Sequence, residues 1–407
     1  MHIIRPLFIN RYYQASHSPV GECLRAFVEA MPNDCWQPMV YTSDRKPLLD
    51  RIPDYVSFVH EDRWVQYFAA AVRRLVLPDL TWLPDYEWRA WGKRTVKKIL
   101  RDIDCCRIQP DYIHSVSYPV ASHWAALKIK QTTGLPWVMQ FYDPWADNPY
   151  RPFKTKFFKD KDWEMERIAA EQADLIIHDN EVIAEAWRTR YGPEIGKKVV
   201  VLPLSVPLPK TEPQPVTASG RLIVTHIGNF MLNRTAEPFI MAIDTLMQRH
   251  PDVRDRVEVH FIGSVKEEDK KLIKKKALDD LFNIHGIMSA EECEKYYQQS
   301  NLFLAIDGVN PDNLFFPSKI LKYFYFRRPV LGITPIGSVL ERELRNSNHT
   351  VFSNNDTESI ASFLYRAITD YPSILTFDYS YWHRFEPESV VSTYQSWIED
   401  LVSKRSY

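Results

Sequence analysis

The sequence predicts an α/β protein made of two doubly wound domains, each built around a parallel sheet. In both halves of the 407-residue chain, short apolar runs alternate with helical patterns, which is typical of βαβ units. A proline-rich stretch, PLSVPLPKTEPQP, separates the halves and favours neither a helix nor a central strand. The chain is also longer than a single hydrophobic core normally serves, so two domains are expected.

The apolar runs give the order of the predicted elements. In the first half they predict strands at Ile3–Ile9, Met39–Tyr41, Tyr112–His114, Trp137–Phe141, Leu175–His178 and Val199–Leu202. The helical patterns between them include Gly21–Ala30, Ser122–Thr132 and Asp160–Asp174. The second half predicts strands in RLIVTHIGN, VEVHFIGS, FNIHGIM, LFLAI and PVLGI, with a helix from about Ala236 to Arg249.

These elements define the predicted domain boundaries. We expect an N-terminal domain over residues 1–205, a linker over 206–219 and a C-terminal domain over 220–380. Residues 381–407 are expected to form a C-terminal helix that packs back on the N-terminal domain. In sheets of this kind, ligands bind beyond the carboxyl ends of the strands.

Composition excludes several classes of protein. The net charge is −1, so no overall positive field favours nucleic acid as a partner. The five cysteines are odd in number and form no C-x-x-C, which fits neither a disulfide framework nor a zinc site. No apolar run approaches the ~20 residues that span a bilayer, and the N-terminus lacks a signal-peptide pattern. These features favour a cytoplasmic location.

Three turns at strand ends in the second half have the residue types of an anion site. HIGNFMLNR supplies Gly228, where a ligand can approach the backbone closely, and Arg234, which can form a fork with phosphate oxygens. FIGSV supplies Gly263. Pro317-Ser318-Lys319 opens a helix, with the proline expected at the first helical position. Each turn alone is a weak signal, but together they favour a ligand that carries phosphate.

The same blocks resemble the GT-B glycosyltransferases, in particular the large retaining family 4 in its bacterial polysaccharide branch. The resemblance lies in the order of VTHIGNFMLNRTAEPFIMAI, VEVHFIGSV, IHGIMSAEECEKYYQQSNLFLAI and FFPSKILKYFYFRRPVLGITPIGS. In the first half, PDYIHSVSYPVASHWAALKIKQTTGLPWVMQFYDPW looks like the family's stretch that ends in Phe-x-Asp-Pro-Trp. The resemblance implies a GT-B fold, in which two Rossmann-like domains face a cleft.

The resemblance assigns roles to residues of the second half. Gly228 and Asn229 would lie against the pyrophosphate of a nucleotide-sugar donor, with Gly263 at the next strand end. Arg234 and Lys319 would neutralise the charge of the leaving nucleotide. The remaining donor contacts would come from the base-side Ile287 and from the short helix and its turn: Pro317, Ser318, Lys322 and Tyr323.

In the first half the resemblance implies an acceptor side made of Asp143 and Trp145, with His114 and the loop residues His17 and Ser18. Asp143, Arg234 and Lys319 would be the catalytic residues of a sugar transfer to a glycan or lipid-linked acceptor. The anomeric configuration would be retained. The transfer would belong to the synthesis of lipopolysaccharide or another cell-surface polysaccharide. No D-x-D motif follows a strand, so no metal or other cofactor is expected.

One position departs from the family. Relatives commonly place a glutamate that holds the ribose hydroxyls where this chain has Lys322, and an ammonium cannot accept a hydrogen bond from a diol. Asp312 or a backbone carbonyl replaces it, Lys322 adds to the anion site, or donor binding is altered. This departure keeps open a protein that binds a nucleotide or glycan without turnover. A nucleotide-sugar epimerase is a further alternative.

Residues 62–100 mix tryptophans with basic residues on helical patterns. Such segments lie in membrane interfaces, so a peripheral contact with the inner membrane face is an expectation. The alternative is a pair of surface helices with a solvated basic face. Structural roles are open elsewhere too: Arg234 with Glu237 as its ion-pair partner, Asp143 as a helix cap, His114 in packing, and Lys319 and Lys322 as solvated helix residues.

Overall fold

A computed structural model gives the fold of the chain. It describes residues 3–14, 18–44, 52–65, 67–68, 71, 88–148, 155–207, 209, 211–215, 220–230, 233–308 and 314–403. The chain divides into two units, residues 1–207 with 384–407 and residues 208–383.

The N-terminal unit contains a seven-stranded sheet. Its strands are β1 (Pro6–Ile9), β2 (Met39–Ser43), β3 (Val56–Val59), β4 (Tyr112–Ser117), β5 (Trp137–Phe141), β6 (Leu175–His178) and β7 (Val199–Val201). Their order is β3-β2-β1-β4-β5-β6-β7, and all neighbours are parallel. The order reverses between β1 and β4, which makes that pair the switch point of a doubly wound sheet.

Helices connect these strands. They are α1 (Pro19–Glu29), α2 (Lys93–Asp104), α3 (Ala121–Thr133), α4 (Lys156–Gln172) and α5 (Glu181–Gly196). A π-helical turn at Trp88–Gly92 runs directly into α2. Local signals fix several ends: the Ser18 side chain accepts from the Gly21 amide at the start of α1, and Gly134 ends α3 in the left-handed region.

The last helix, α12 (Pro387–Ser403), belongs to the N-terminal unit. It presents Tyr394, whose hydroxyl lies 2.7 Å from the Tyr112 hydroxyl and 2.6 Å from His114 Nδ1. All three side chains are fully buried. Buried hydroxyls need partners, so this triad is a polar connection between the helix and the middle of the sheet.

The C-terminal unit contains a six-stranded parallel sheet. Its strands are β8 (Leu222–Ile227), β9 (Val257–Ile262), β10 (Phe282–Gly286), β11 (Leu302–Ile306), β12 (Val330–Ile333) and β13 (Thr350–Phe352). The order is β10-β9-β8-β11-β12-β13, with all neighbours parallel. Here the order reverses between β8 and β11.

Six helices cover this sheet in the described residues. They are α6 (Glu237–Arg249), α7 (Glu267–Lys275), α8 (Ala290–Gln299), α9 (Lys319–Tyr325), α10 (Val339–Asn346) and α11 (Thr357–Thr369). The start of α8 is a capping box in which Ser289 and Glu292 satisfy each other's backbone amides. The helices α6 and α11 pack with the inner strands in one apolar core that includes Phe239, Ile243, Phe261 and Leu364.

The predicted fold class is confirmed: two parallel sheets, each flanked by helices. Several predicted bounds differ from the structure. The first strand starts at Pro6 rather than Ile3, and α4 starts at Lys156 rather than Asp160. The edge strands β3 and β13 were not predicted, because runs of four and three residues are too short to give a periodic signal. The described helices include none long and apolar enough to cross a membrane.

Replacing Tyr394 with Phe is expected to lower the free energy of unfolding of the N-terminal unit by about 1–3 kcal/mol. The substitution removes the hydroxyl and leaves buried polar atoms of Tyr112 and His114 without that partner. Chemical denaturation measures the change. Tyr67→Phe is the control, because Tyr67 is 68% exposed. Equal stability of the two variants would contradict the structural role of the triad.

Candidate functional site

The candidate site lies at the carboxyl edge of the C-terminal sheet, where the strand order reverses between β8 and β11. Gly228 follows β8, Gly263 follows β9 and Asp307 follows β11. Because parallel strands end at the same edge, these three residues come together there. Lys319, the first residue of α9, reaches the same edge: its Nζ lies 3.2 Å from the position a Cβ of Gly228 would occupy.

Two glycines let the strand ends approach each other. The φ angles of Gly228 and Gly263 are 141° and 119°, in the region that favours glycine. The Gly228 amide donates to the Ile262 carbonyl at 2.8 Å. A Cβ on Gly263 would stand 2.4 Å from the Gly228 carbonyl oxygen. A larger residue at Gly263 would therefore push the Gly228 turn away from its position beside Lys319.

Asn229 fixes the same turn from its other side. Its Oδ1 accepts from the Ser264 amide at 2.8 Å and from the Ser264 hydroxyl at 3.0 Å. The Phe230 amide in turn donates to the Ser264 carbonyl at 2.9 Å. These bonds join the turn after β8 to the turn after β9, so the Asn229 side chain serves the backbone geometry of the site.

Lys319 is held against His226. The Lys319 Nζ lies 3.2 Å from His226 Nε2, and His226 Nδ1 lies 2.9 Å from the Leu304 carbonyl oxygen. A carbonyl only accepts, so Nδ1 carries the proton, and Nε2 accepts from the ammonium. Burial holds the pKa of His226 well below its ordinary value, which keeps the ring neutral.

The Lys319 ammonium is poised between charged and neutral forms. Lys319 is half-buried, and removal from water lowers its pKa to about 7. The positive charge of Arg234 lowers it further, and the Asp307 carboxylate opposes both effects. An anion placed beside this group would raise the pKa again and restore the full charge.

Asp307 is the carboxylate of the site and is 2% exposed. Its Oδ1 lies 3.4 Å from Arg234 Nη2, and its Oδ2 lies 3.3 Å from the Thr334 hydroxyl. Arg234 therefore pairs with Asp307, an alternative to the Glu237 pairing left open from sequence. With one carboxylate facing two cations, the group carries a net positive charge when Lys319 is protonated.

The backbone of Arg234 is anchored through its neighbours. Asp269 of α7 is 2% exposed and accepts from the Thr235 hydroxyl at 2.6 Å and from the Ala236 amide at 3.0 Å. Gly308 packs closely as well, since a Cβ there would stand 3.2 Å from the Arg234 amide nitrogen. The guanidinium is thus presented from a fixed stretch of chain.

The remaining predicted donor residues are more scattered. Tyr323 is buried, and its hydroxyl accepts from the Ile227 amide at 2.9 Å, so it supports the end of β8. Ile287 is 82% exposed. Lys322 is half-buried and lies one turn after Lys319. Burial raises the pKa of the Cys293 thiol in α8, and the positive charge of Lys322 opposes that rise.

The start of α9 corrects one expectation. The helix begins at Lys319 with Ser318 as its N-cap, so Pro317 precedes the cap rather than filling the first helical position. The Ser318 side chain makes no capping bond. The helix is seven residues long, and its dipole is correspondingly small. The positive character of the site therefore comes from the two side chains, Lys319 and Arg234.

In the N-terminal unit the predicted acceptor residues have different surroundings. His114 is fully buried, with Nδ1 near Tyr394 and Nε2 at 2.8 Å from Gln140 Oε1. Trp145 is 1% exposed, and its indole donates to Asp162 Oδ1 at 2.9 Å. Ser18 caps α1, and His17 lies outside the described residues.

Asp143 stands apart from these because it is a partly exposed carboxyl group at the carboxyl end of β5. Burial raises its pKa to about 6, so the group is mostly a carboxylate at neutral pH and takes up a proton just below it. A carboxylate with such a pKa suits proton acceptance near neutrality. Within the described residues, no group of three or more His, Cys, Asp or Glu side chains has the geometry of a metal site.

His226 and Asp307 did not emerge as site residues from sequence reasoning. Both lie at the ends of apolar strands, in IVTHIGN and FLAIDG. That location was their one signal, since polar residues at the carboxyl ends of parallel strands face the ligand edge.

Solved structures with the same architecture are GT-B glycosyltransferases. Anabaena Alr3699/HepE in complex with UDP and glucose superposes with a TM-score of 0.63 at 11% identity, covering 98% of this chain and all of that one. Sucrose-phosphate synthase from Thermosynechococcus elongatus gives 0.64 at 14% identity, covering 98% and 100%. The lipopolysaccharide outer core galactosyltransferase WaaB gives 0.63 at 11% identity, covering 98% and 99%. At these identities the likeness establishes the GT-B fold.

The family match adds the enzyme class. The family model described as Glycosyltransferase Family 4 matches residues 20–208. This match confirms the resemblance seen in the sequence, and the chain is a glycosyltransferase of the GT-B class. A search of curated proteins found no match.

Substituting Gly263 with Ala is expected to destabilise the C-terminal unit and to weaken binding of inorganic pyrophosphate by about tenfold or more. The added Cβ meets the Gly228 carbonyl at 2.4 Å, so the turn beside Lys319 must move. Thermal unfolding and calorimetry measure the two effects.

Gly337→Ala is the matched control. Gly337 also has a positive φ, 82°, but nothing lies within 4 Å of its Cβ position. It carries the conformational strain of roughly 1–3 kcal/mol without the clash. If Gly337→Ala weakened pyrophosphate binding as much as Gly263→Ala, close contact at Gly263 would not be the cause.

Proposed function

We propose that this protein transfers a sugar from a nucleotide diphosphate sugar to a glycan or lipid-linked acceptor, with retention of the anomeric configuration, in cell-surface polysaccharide synthesis. The observation that carries the proposal is the pair of cations, Lys319 and Arg234, fixed beside the Gly228 turn. HepE, a structural neighbour, was solved with UDP and glucose, and WaaB is named as a lipopolysaccharide galactosyltransferase.

The C-terminal unit would take the donor. In such a transfer, negative charge grows on the departing diphosphate as the bond to the sugar breaks. Preorganised cations stabilise that charge more than they stabilise the bound substrate, and one such group contributes on the order of 3 kcal/mol, roughly 100-fold in rate. Lys319 and Arg234 would supply this stabilisation as fixed charges, in a transfer that needs no metal ion.

Asp307 would keep the two cations close together, and Lys319 charged, before the donor binds. In the structure it pairs with Arg234 and lies close enough to Lys319 to favour the ammonium form. Without a carboxylate, two adjacent positive groups would repel each other and displace their side chains. A diphosphate that binds Lys319 and Arg234 would complete the neutralisation that Asp307 begins.

Lys322 is proposed as a further positive contact for the donor. It lies on α9 one turn beyond Lys319, and side chains three apart on a helix are neighbours. Because it cannot accept hydrogen bonds from ribose hydroxyls, a different group must hold the ribose. Asp312, one of the groups considered for that role, lies outside the described residues.

The N-terminal unit would take the acceptor, with Asp143 as its catalytic group. At neutral pH its carboxylate can orient an acceptor hydroxyl and attract its proton, because burial raises its pKa toward the working range. Trp145 and His114 are buried and would act by holding the surrounding structure. Ser18, the N-cap of α1, and His17, which precedes it in sequence, would contact the acceptor.

Replacing Lys319 with Ala is expected to weaken binding of a nucleoside diphosphate by roughly 10–100-fold at pH 7. The change removes a charged donor to the phosphate, and such hydrogen bonds contribute about 1.5–3 kcal/mol. Calorimetric titration with UDP, GDP and ADP measures the affinity. Lys271→Ala, an exposed lysine on α7, is the control. Equal affinity of wild type and Lys319→Ala would contradict the role of Lys319.

The pH dependence gives an independent check of the same residue. The pKa of Lys319 is about 7 in the protein without a bound anion, so above pH 7 the wild type must bind a proton along with the nucleotide. Affinity should therefore fall between pH 7.5 and 9. Lys319→Arg stays charged throughout this range and should lose that dependence.

Product formation separates transfer from binding without turnover. The wild type is incubated with a panel of nucleotide sugars and an acceptor extract, and the anomeric configuration of the product is read by NMR. Product from any donor rules out a protein that only binds. An inverted product would contradict retention while leaving the transferase proposal standing.

We further propose that the protein works in the cytoplasm at a membrane face. Trp64, Tyr67 and Phe68 are 82%, 68% and 71% exposed on one helical face. The Asp62 carboxylate accepts from Arg94 at 2.9 Å, which ties this aromatic face to the start of α2. The helix α2 exposes the basic residues Lys93, Lys97 and Arg101. Aromatic and basic groups together suit the interface of an anionic bilayer.

Neutralising Lys93, Lys97 and Arg101 to Gln is expected to lower partitioning onto anionic liposomes by roughly 100-fold, since each basic residue near the surface contributes about 1 kcal/mol. Flotation measures the bound fraction. The control replaces Lys156, Lys159 and Lys161, which are exposed on α4. Equal loss in both variants would indicate non-specific attraction. Arg73 and Arg74, also basic in this segment, lie outside the described residues.

A further inference from the structure

The loop that carries Asp143 is attached to the helices behind it by buried carboxylates. This loop, residues 142–148, follows β5. Two of its groups bond to α4. The Trp145 indole donates to Asp162 Oδ1 at 2.9 Å, and the Ala146 amide donates to Glu166 Oε2 at 2.7 Å.

The two carboxylates are among the most buried charged residues of the unit. Asp162 is 1% exposed and Glu166 is not exposed at all. They are four residues apart on α4, so they share one face of the helix. Removing a carboxylate from water is unfavourable unless hydrogen bonds or charges compensate it, so their partners must explain their burial.

Glu166 has partners from three directions. Besides the Ala146 amide, its other oxygen accepts from the Tyr191 hydroxyl of α5. Arg190 Nη1 lies 3.9 Å from the same oxygen, and Arg190 Nη2 lies 2.6 Å from Asp147 of the loop. The arginine is itself held over the Trp163 ring at 4.1 Å.

These contacts join the loop, α4 and α5 to one another in a closed ring. The loop reaches α4 through Trp145 and Ala146, and reaches α5 through Asp147 and Arg190. The helices α4 and α5 meet at the Glu166–Tyr191 contact. A loop held by side chains on two rigid elements is more precisely positioned than one held by its own backbone alone.

We propose that Asp162 and Glu166 are positioning residues that clamp loop 142–148 and thereby hold Asp143 in place for the acceptor, while the donor site is independent of them. The inference rests on the proposed role of Asp143. It goes beyond that role by assigning a task to two buried carboxylates of α4 that hold the loop through Trp145 and Ala146.

The environment of Glu166 supports this assignment. Burial raises its pKa to about 7, opposed by the hydrogen bonds from Tyr191 and Ala146 and by Arg190, while Asp147 adds to the rise. The hydrogen bonds from the Ala146 amide and the Tyr191 hydroxyl compensate part of the cost of burying this carboxyl group. An amide at this position keeps an acceptor oxygen for Ala146 without the cost of a buried charge.

The first test measures the loop directly by hydrogen exchange and needs no substrate. Glu166→Ala should speed exchange of the Ala146 amide by roughly 10–100-fold, because the buried amide loses its acceptor oxygen. Glu166→Gln should stay within about threefold of wild type. Glu164→Gln is the control, since Glu164 is exposed on the same helix and pairs with Lys161. Unchanged exchange in Glu166→Ala would overturn the clamp.

The second test separates positioning from general destabilisation. Glu166→Ala and Asp162→Ala should lower kcat/KM for the acceptor by about tenfold or more. The KM for the donor should stay within about twofold. Glu166→Gln should restore most of the acceptor rate. Parallel losses for donor and acceptor, or no loss for the acceptor, would overturn the positioning role.

The two tests also distinguish this inference from the proposed function. A wild type that forms no product from any nucleotide sugar would overturn the proposed function, and with it the acceptor-specific effect. The exchange measurement would still decide whether Glu166 clamps the loop. Product formation by the wild type with unchanged exchange in Glu166→Ala would overturn the clamp alone.

Discussion

The candidate donor site depends on placing two cations side by side around one buried carboxylate. Lys319 and Arg234 come from distant parts of the chain; the Asp307 carboxylate pairs with Arg234, and its charge favours the ammonium form of Lys319. Two adjacent positive groups repel, so each needs a partner: Asp307 for Arg234, and the neutral His226 ring for Lys319. What remains is a modest excess of positive charge, which suits an anion that must bind and later leave.

Glycine makes this arrangement sterically feasible. The turns after β8 and β9 touch at Gly228 and Gly263, with no room for a side chain at the contact. Asn229 and Ser264 then join the two turns by hydrogen bonds. The backbone edge of the sheet is therefore both close to Lys319 and rigid, which is the condition under which fixed charges stabilise a transition state without reorganising.

The two units hold their candidate functional side chains in different ways. In the C-terminal unit the functional groups are attached to strand ends and to the start of α9, and carboxylates such as Asp269 hold the adjoining backbone. In the N-terminal unit Asp143 sits on a longer loop, and the carboxylates of α4 hold that loop from behind. Both use buried acids against backbone amides, which are strong hydrogen bonds when charge assists them.

The sequence by itself determined the alternation of strands and helices, the parallel sheets and the residues at the glycine turns. Apolar periodicity and turn chemistry are local, and a strand followed by a glycine already indicates which edge faces a ligand. Thus Gly228, Gly263, Arg234 and Lys319 could be named in advance. Only the tertiary structure decided their partners. The Arg234–Asp307, Lys319–His226 and Ala146–Glu166 contacts join residues 73, 93 and 20 positions apart, and no local pattern encodes which buried acid or imidazole meets which donor.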